Sequence, residues 1–153
     1  MPTAWVLRAG REDDIRAMYE LDLLCFEEPF RFDFRAMRRY VMYRGAFVVV
    51  ADSDEGLCGF LVVHVIQRAR RRFGYLITLD VADLCRRAGL AAAMVASAEA
   101  QVRALGVEGM ALHVFAGNAP AIAFYESSGY FRQQVQADFY GAGLDAWVFA
   151  KEF

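Results

Sequence analysis

Only three cysteines occur among the 153 residues, and Cys25, Cys58 and Cys85 stand far apart. That spacing excludes a disulfide framework and any metal site built on paired cysteines, so free thiols and no bound metal are expected. Prolines are equally scarce at three. No linker, internal repeat or low-complexity tract interrupts the chain, which predicts one domain over residues 1–153. A domain of this length buries about 70% of the surface its unfolded chain exposes. Although 58% of the residues are hydrophobic, no apolar run approaches the roughly 20 residues needed to cross a bilayer. Met1-Pro2-Thr3 leads into no signal-peptide pattern, so a soluble, cytoplasmic protein without membrane contact is expected. Excess positive charge is missing too. A net charge of −2 gives no footprint for nucleic acid, and any electrostatic recognition must be local.

What is present alternates between helical and strand patterns. A strand near Trp5 to Arg8 leads into a helix from about Asp13 to Cys25, with Ile15, Met18, Tyr19, Leu21 and Leu23 as a broad apolar face. Glu27, Glu28 and Pro29 end it, and Asp33 is placed to cap a second helix carrying Phe34, Met37, Tyr40 and Val41 on one stripe. The runs Ala46 to Ala51 and Leu57 to Ile66 flank Asp52-Ser53-Asp54-Glu55-Gly56, a hairpin signal that predicts antiparallel pairing. An arginine-rich connection from Arg68 to Arg72 leads to a strand from Tyr75 to Val81. A helix from about Ala88 to Leu105, stopped by Gly106, precedes a strand from about Gly109 to Phe115. A helix from Asn118 to Ser128, closed by Gly129, and strands around Tyr130 to Ala137 and Leu144 to Lys151 complete an α/β layout with helices over a mixed sheet.

The segment richest in chemical information is Arg86-Arg87-Ala88-Gly89-Leu90-Ala91. Gly89 and the small Ala91 let the backbone approach a ligand, and the following helix aims its free N–H groups and positive dipole end into the turn. Pyrophosphate suits such a cradle, although a basic glycine turn alone is as often an ordinary connection. Downstream lie Leu112-His113-Val114 and Asn118-Ala119-Pro120-Ala121-Ile122-Ala123-Phe124-Tyr125-Glu126. In this order the chain resembles the GNAT superfamily of acetyl-CoA-dependent N-acetyltransferases, whose acyl-CoA loop reads Arg/Gln-x-x-Gly-x-Gly/Ala. The resemblance spans almost the whole chain. It implies a mixed, mostly antiparallel sheet of about six to seven strands flanked by about four helices, with acetyl-CoA as cosubstrate. It further implies that the backbone of Leu79, Asp80 and Val81 binds the pantetheine arm and that Arg86, Arg87, Ala88, Gly89, Leu90 and Ala91 hold the pyrophosphate. Asn118 and Ala121 are implied as contacts to CoA, with helix capping an equal reading of Asn118. Tyr125, one turn into its helix, is implied as the acid that protonates the leaving thiolate. Asp83 sets one carboxylate beside the turn, where two arginines and the helix dipole outweigh it.

His113 points opposite to its neighbours Leu112 and Val114 on the strand. An imidazole, with an unperturbed pKa of about 6.5, suits accepting a proton near neutrality. In the family's ribosomal-protein alanine acetyltransferases this position is usually glutamate. In several eukaryotic N-terminal acetyltransferases it is histidine, which in one branch works beside a tyrosine on the preceding core strand, and Tyr75 falls at that place. His113 with Tyr75 is therefore expected to take the amine proton through a water, against the plain alternative of a structural histidine. His64 has no such context and is read as structural.

On the acceptor side, Phe26, Pro29 and Phe30 lie where the resemblance puts the wall of a first-residue pocket, and they serve equally as a plug under the first helix. Phe139 and Tyr140, before Gly141-Ala142-Gly143-Leu144-Asp145-Ala146, resemble the hairpin that meets the incoming peptide. An α-amine, with a pKa of about 7.7 to 8.0, sheds its proton more cheaply than a lysine side chain near 10.4. The expected acceptor is thus a protein or peptide N-terminus, with a small amine or a non-catalytic acyl-CoA-binding role as alternatives. Arg68, Arg70, Arg71 and Arg72 read as a solvated loop or as a dock for an acidic peptide or ribosomal surface. Monomer and homodimer stay open.

Overall fold

Runs of β-branched and aromatic residues on either side of Asp54-Glu55 form the backbone of the molecule. In the computed structural model, which describes residues 4–153, β2 (Ala46–Ser53) and β3 (Gly56–Arg68) pair antiparallel as the hairpin signal predicts. The start of the chain, on which the expectation of no leader rests, lies outside the described residues. Before this hairpin come β1 (Val6–Ala9), a 3-10 turn (Glu12–Asp14), α1 (Ile15–Cys25) and α2 (Phe34–Met42). After it come β4 (Arg71–Val81), a second 3-10 turn (Asp83–Cys85), α3 (Leu90–Arg103), β5 (Gly109–Phe115), α4 (Ala119–Ser127), β6 (Phe131–Gln136) and β7 (Ala146–Glu152). The strands form one seven-stranded sheet in the order β1-β2-β3-β4-β5-β7-β6, antiparallel except for β4 with β5.

Each face of the sheet is covered by a helix pair because alternate strand residues are apolar on both sides. On one face Val50, Phe60 and Val62 pack against Ile15, Met18 and Leu21 of α1 and Met37 of α2. On the other, Val49, Leu61, Val63, Leu76, Leu112 and Val114 pack against Leu90, Met94, Ala98 and Val102 of α3 and Ile122 and Tyr125 of α4. Gly59 admits α3 to this contact, since a Cβ there would meet Leu90 at 3.0 Å and Met94 at 3.2 Å. Asp33 caps α2 by accepting a hydrogen bond from the Ala36 N–H at 2.7 Å. Among the described residues no helix is long and apolar enough to cross a membrane.

Two local expectations are corrected. The arginine-rich connection is a tight turn at Ala69-Arg70, with Arg68 and Arg71 already paired in the β3–β4 ladder. Ala69 takes a positive φ of 54°, which lets the strands run straight into the turn. Arg71 pairs with Glu108 at 3.2 Å and Arg72 donates to the Leu105 carbonyl, so part of the cluster braces the start of β5, at the end of the sheet away from Val81 and Phe115. The helix expected from Ala88 begins at Leu90, because Arg87 and Gly89 both take left-handed backbone (φ 61° and 77°) that a helix cannot contain.

Candidate active site

The parallel pairing of β4 with β5 is confined to Gly74–Met110, Tyr75–Ala111 and Leu76–Leu112. Beyond it β4 stays with β3 as far as Val81, while β5 stays with β7 as far as Phe115. A bulge between Leu76 and Thr78, where Ile77 has no opposite residue on β3, turns β4 at the point of divergence. The sheet therefore forks, and residues 77–81 present a backbone edge that β5 does not pair. Leu79, Asp80 and Val81, expected to bind a donor through their backbone, lie on this edge.

A cavity of about 660 Å³ fills the fork. Tyr75 and His113 stand at its base, Tyr75 in the register pair before the last and His113 as the first β5 residue past the final pair. The Tyr75 hydroxyl lies 2.5 Å from His113 Nδ1, so the two residues expected to act together do meet. Burial raises the Tyr75 pKa, which keeps its proton in place as a donor. His113 Nε2 lies 2.8 Å from Oε1 of Gln136 on β6, and the Phe139 ring stacks on the imidazole with centroids 4.0 Å apart. Gln136 was not foreseen, because it is 23 residues from His113 on a strand with no buried face.

Phe26, Pro29 and Phe30, from the loop between α1 and α2, line the same cavity together with Phe139 and Tyr140. The Phe30 ring contacts Phe115 at 4.8 Å and Tyr140 at 5.1 Å between centroids, closing the cavity across the fork. Pocket wall and packing are thus the same aromatic residues. Burial pushes the Tyr140 hydroxyl up to about 12. Tyr125 also lines the cavity, from the second turn of α4. Only 7% of its surface is exposed, and burial raises its pKa, so it carries its proton at neutral pH. Asn118 caps α4: its Oδ1 accepts from the Ala121 N–H at 3.2 Å, leaving the amide NH₂ as the group free to meet a ligand.

On the α3 side a groove of about 570 Å³ runs from the Arg86–Ala91 turn between α3 and α4 to Glu99 and Lys151. The first N–H groups of α3 have no side-chain cap and open into it. A Cβ on Gly89 would meet nothing within 4 Å, so glycine is needed there for its left-handed backbone, and the space above it is open to a ligand. Arg86 pairs with Asp83 at 3.1 Å, so that carboxylate is neutralised locally, while Arg87 lines the groove. Cys85 is buried as packing. The far end is closed by Lys151, which donates to Glu99 and to the Ser128 carbonyl, with the Tyr130 hydroxyl also on Glu99.

His64 is structural: its Nε2–H donates to the Tyr40 carbonyl at 2.8 Å and its ring stacks on Tyr43. Burial lowers its pKa and keeps it neutral.

Residues 15–130 match the model of the acetyltransferase (GNAT) family. The chain belongs to that family. The catalytic subunit NAA10 of the N-terminal acetyltransferase A complex from Arabidopsis thaliana is 25% identical over 95% of this chain and 76% of its own length. An N-alpha-acetyltransferase from Saccharolobus solfataricus is 27% identical over 96% and 92%. In fold, Arabidopsis thaliana NAA60 bound to a bisubstrate analogue superposes with a TM-score of 0.86 at 20% identity, covering 97% of this chain and 98% of the other. The ribosomal-protein-S18-alanine N-acetyltransferase of Escherichia coli gives 0.85 at 20%, covering 97% and 94%. The fork is therefore the fork of a GNAT acetyltransferase, and the mixed, mostly antiparallel sheet expected from the resemblance is present.

Under the open edge of this GNAT fold lies a pair of buried acids. Asp80, 1% exposed, turns its side chain away from the fork toward Asp22 of α1, itself fully buried. Asp80 Oδ1 accepts from Thr78 at 2.6 Å and Asp22 Oδ2 accepts from the Phe32 N–H at 2.8 Å. The remaining oxygens, Asp80 Oδ2 and Asp22 Oδ1, have no donor. A proton retained on Asp80 supplies one to both, and burial followed by Asp22 pushes the Asp80 pKa well above the usual carboxylate range. A group whose pKa is raised on folding stabilises fully below its unfolded pKa of about 3.9, and that contribution is lost as pH rises through the folded value. Asp80→Asn, neutral at every pH, is expected to gain stability relative to the wild type as pH rises above 4, by at most about 1.4 kcal/mol per unit, with no such trend below. Urea denaturation of both proteins from pH 3.5 to 8 measures the difference.

Proposed function

We propose that this enzyme transfers the acetyl group of acetyl-CoA to the N-terminal α-amine of a protein or peptide, by direct attack in a ternary complex within one domain. The observation that carries the reading is the Tyr75–His113 hydrogen bond at the base of an aromatic-walled cavity where β4 leaves β5. Relatives named as N-terminal acetyltransferases across almost the full chain support the same acceptor.

Acetyl-CoA enters from the α3 side. Its pyrophosphate meets the uncapped N–H groups of α3 beside Arg87, and its pantetheine arm adds to the open edge at residues 77–81 in the manner of an extra strand. That places the thioester in the fork, facing the cavity. The acceptor enters from the opposite face, over Phe26, Pro29 and Phe30 and under Phe139 and Tyr140. The neutral amine attacks the carbonyl, forming the C–N bond as its proton passes through a water and Tyr75 toward His113. The C–S bond then breaks, and the departing thiolate takes the proton of Tyr125, which burial has kept in place. Solvent returns the proton from His113 to Tyr125 after release, so atoms and charge balance.

A small-molecule acceptor is the competing reading. Acetyl transfer from labelled acetyl-CoA to peptides with free α-amines and blocked lysines, beside a panel of small amines, separates the two by mass spectrometry. Acetylation sensitive to the first residue is expected; turnover of small amines alone would overturn the peptide assignment.

Two substitutions test the roles. Tyr125→Phe should lower kcat with little change in acetyl-CoA affinity by calorimetry, because only the thiolate's proton source is lost. His113→Ala should lose about 10²-fold in kcat/KM and the acid limb of the pH profile, the scale of general-base assistance.

A further inference from the structure

We infer that Gln136 is a positioning residue that fixes the tautomer of His113, so that the imidazole can take the substrate proton only at Nδ1 and only through the Tyr75 hydroxyl. This rests on the proposed role of His113 as the base.

The geometry leaves His113 no other route. One nitrogen faces Tyr75 at 2.5 Å, the other faces Gln136 at 2.8 Å, and the flat side of the ring is covered by Phe139, parallel to within 4°. Neither nitrogen points freely at the cavity. A neutral imidazole donates from one nitrogen and accepts at the other. Tyr75, half-buried, holds its proton and has Nδ1 as its acceptor, so Nδ1 must be the lone-pair nitrogen. Nε2 then carries the hydrogen and requires an acceptor, which Gln136 Oε1 supplies. Reversal of the tautomer would direct an N–H at the tyrosine and leave the base without an open lone pair on the relay. Once Nδ1 receives the proton, both nitrogens donate, and Gln136 still accepts from Nε2 without rearrangement.

Gln136 sits on β6, whose residues are all exposed, where substitution disturbs no core contact. The other groups around the relay are Tyr140 from the β6–β7 connection, Tyr40 of α2 and His64 of β3, which pairs with Tyr75 across the ladder. Glu27 and Glu28 lie at the exposed mouth of the cavity and Tyr125 and Cys25 in its wall, Cys25 pushed up to about 11 by burial. None of these reaches Nε2, so a charge introduced at residue 136 acts on the imidazole directly.

Three proteins test the inference: wild type, Gln136→Glu and Gln136→Leu. The protein has only two histidines, so long-range ¹⁵N NMR resolves both imidazoles, and His113→Ala assigns them. At pH 8 the wild-type His113 should show a protonated Nε2 and an unprotonated Nδ1; an Nδ1–H tautomer overturns the proposal. Gln136→Glu places a carboxylate against Nε2–H and should move the acid limb of the kcat profile up by about half to one pH unit, without altering KM for acetyl-CoA. Gln136→Leu should lower kcat about fivefold, the rate equivalent of one ordinary hydrogen bond, and mix the two tautomers in the NMR spectrum. An unchanged spectrum and limb in both variants would leave Gln136 a surface residue. Failure of the base reading is distinguishable, because the limb would then survive His113→Ala while the tautomer is still read by NMR.

Discussion

The arrangement of this protein depends on the early end of one strand pairing. β4 and β5 share three parallel register pairs and then part, each held by a long antiparallel ladder to its other neighbour. Because those ladders continue past the fork, neither strand has to be disordered; the sheet on both sides keeps its shape while one edge in its middle lacks a partner. An unpaired backbone edge inside a protein is costly unless something bonds to it. In the proposed mechanism the pantetheine arm meets that need, so donor affinity comes from a deficit built into the sheet. Tyr75 and His113 owe their position to the same feature. They flank the last pair, close enough to bond to each other and adjacent to the opening where the thioester arrives.

Holding such an edge rigid requires support from behind. α1 provides it through Asp22 and Asp80, which connect the back of β4 to the N–H of Phe32 in the loop between α1 and α2. The protonated form matters for chemistry as well as for packing. A negative charge beneath residues 77–81 would oppose the charge that develops on the thioester oxygen during attack, in a region where low dielectric makes such opposition strong. A shared proton leaves the pair with one negative charge rather than two while retaining the tie. The same link joins β4 and the loop between α1 and α2 into one unit, since displacement of either strains the hydrogen bonds of the other.

Much of the fold was legible because its signals are local. Asp33 as a cap, the Asp52–Gly56 hairpin, and Gly106 and Gly129 in left-handed backbone after their helices all act within a few residues. The Tyr75–His113 pair was legible from strand parity and the resemblance together. What escaped the sequence depends on register. The bulge at Ile77 leaves no trace in a run of β-branched and apolar residues, yet it turns Asp80 toward α1. Asp22 reads as one more polar residue of an amphipathic helix until its partner is known. Gln136 lies on an edge strand with no hydrophobic alternation to orient it, and the ion pair at the groove's end, Glu99 with Lys151, needs β7 placed beside α3. The arginine turn was misread for a related reason: composition marks a loop, whereas a single positive-φ alanine reverses the chain in two residues.

The electrostatics of the cavity bear on the choice of amine. Burial keeps Tyr75, Tyr125 and Tyr140 protonated, and Asp80, its pKa raised by burial, turns away from the cavity, so the inner walls carry no carboxylate to stabilise an ammonium ion. The acidic residues of the lining, Glu27 and Glu28, stand at the exposed mouth. A cationic amine is favoured at this entrance and must lose its proton to go further. At pH 7 that loss costs an α-amine about 1 kcal/mol and a lysine side chain about 5 kcal/mol. Entry into a chamber without carboxylates therefore separates amines by proton affinity before any side-chain pocket is consulted, and the cost favours an α-amine over a lysine side chain by a margin comparable to a well-made specificity pocket.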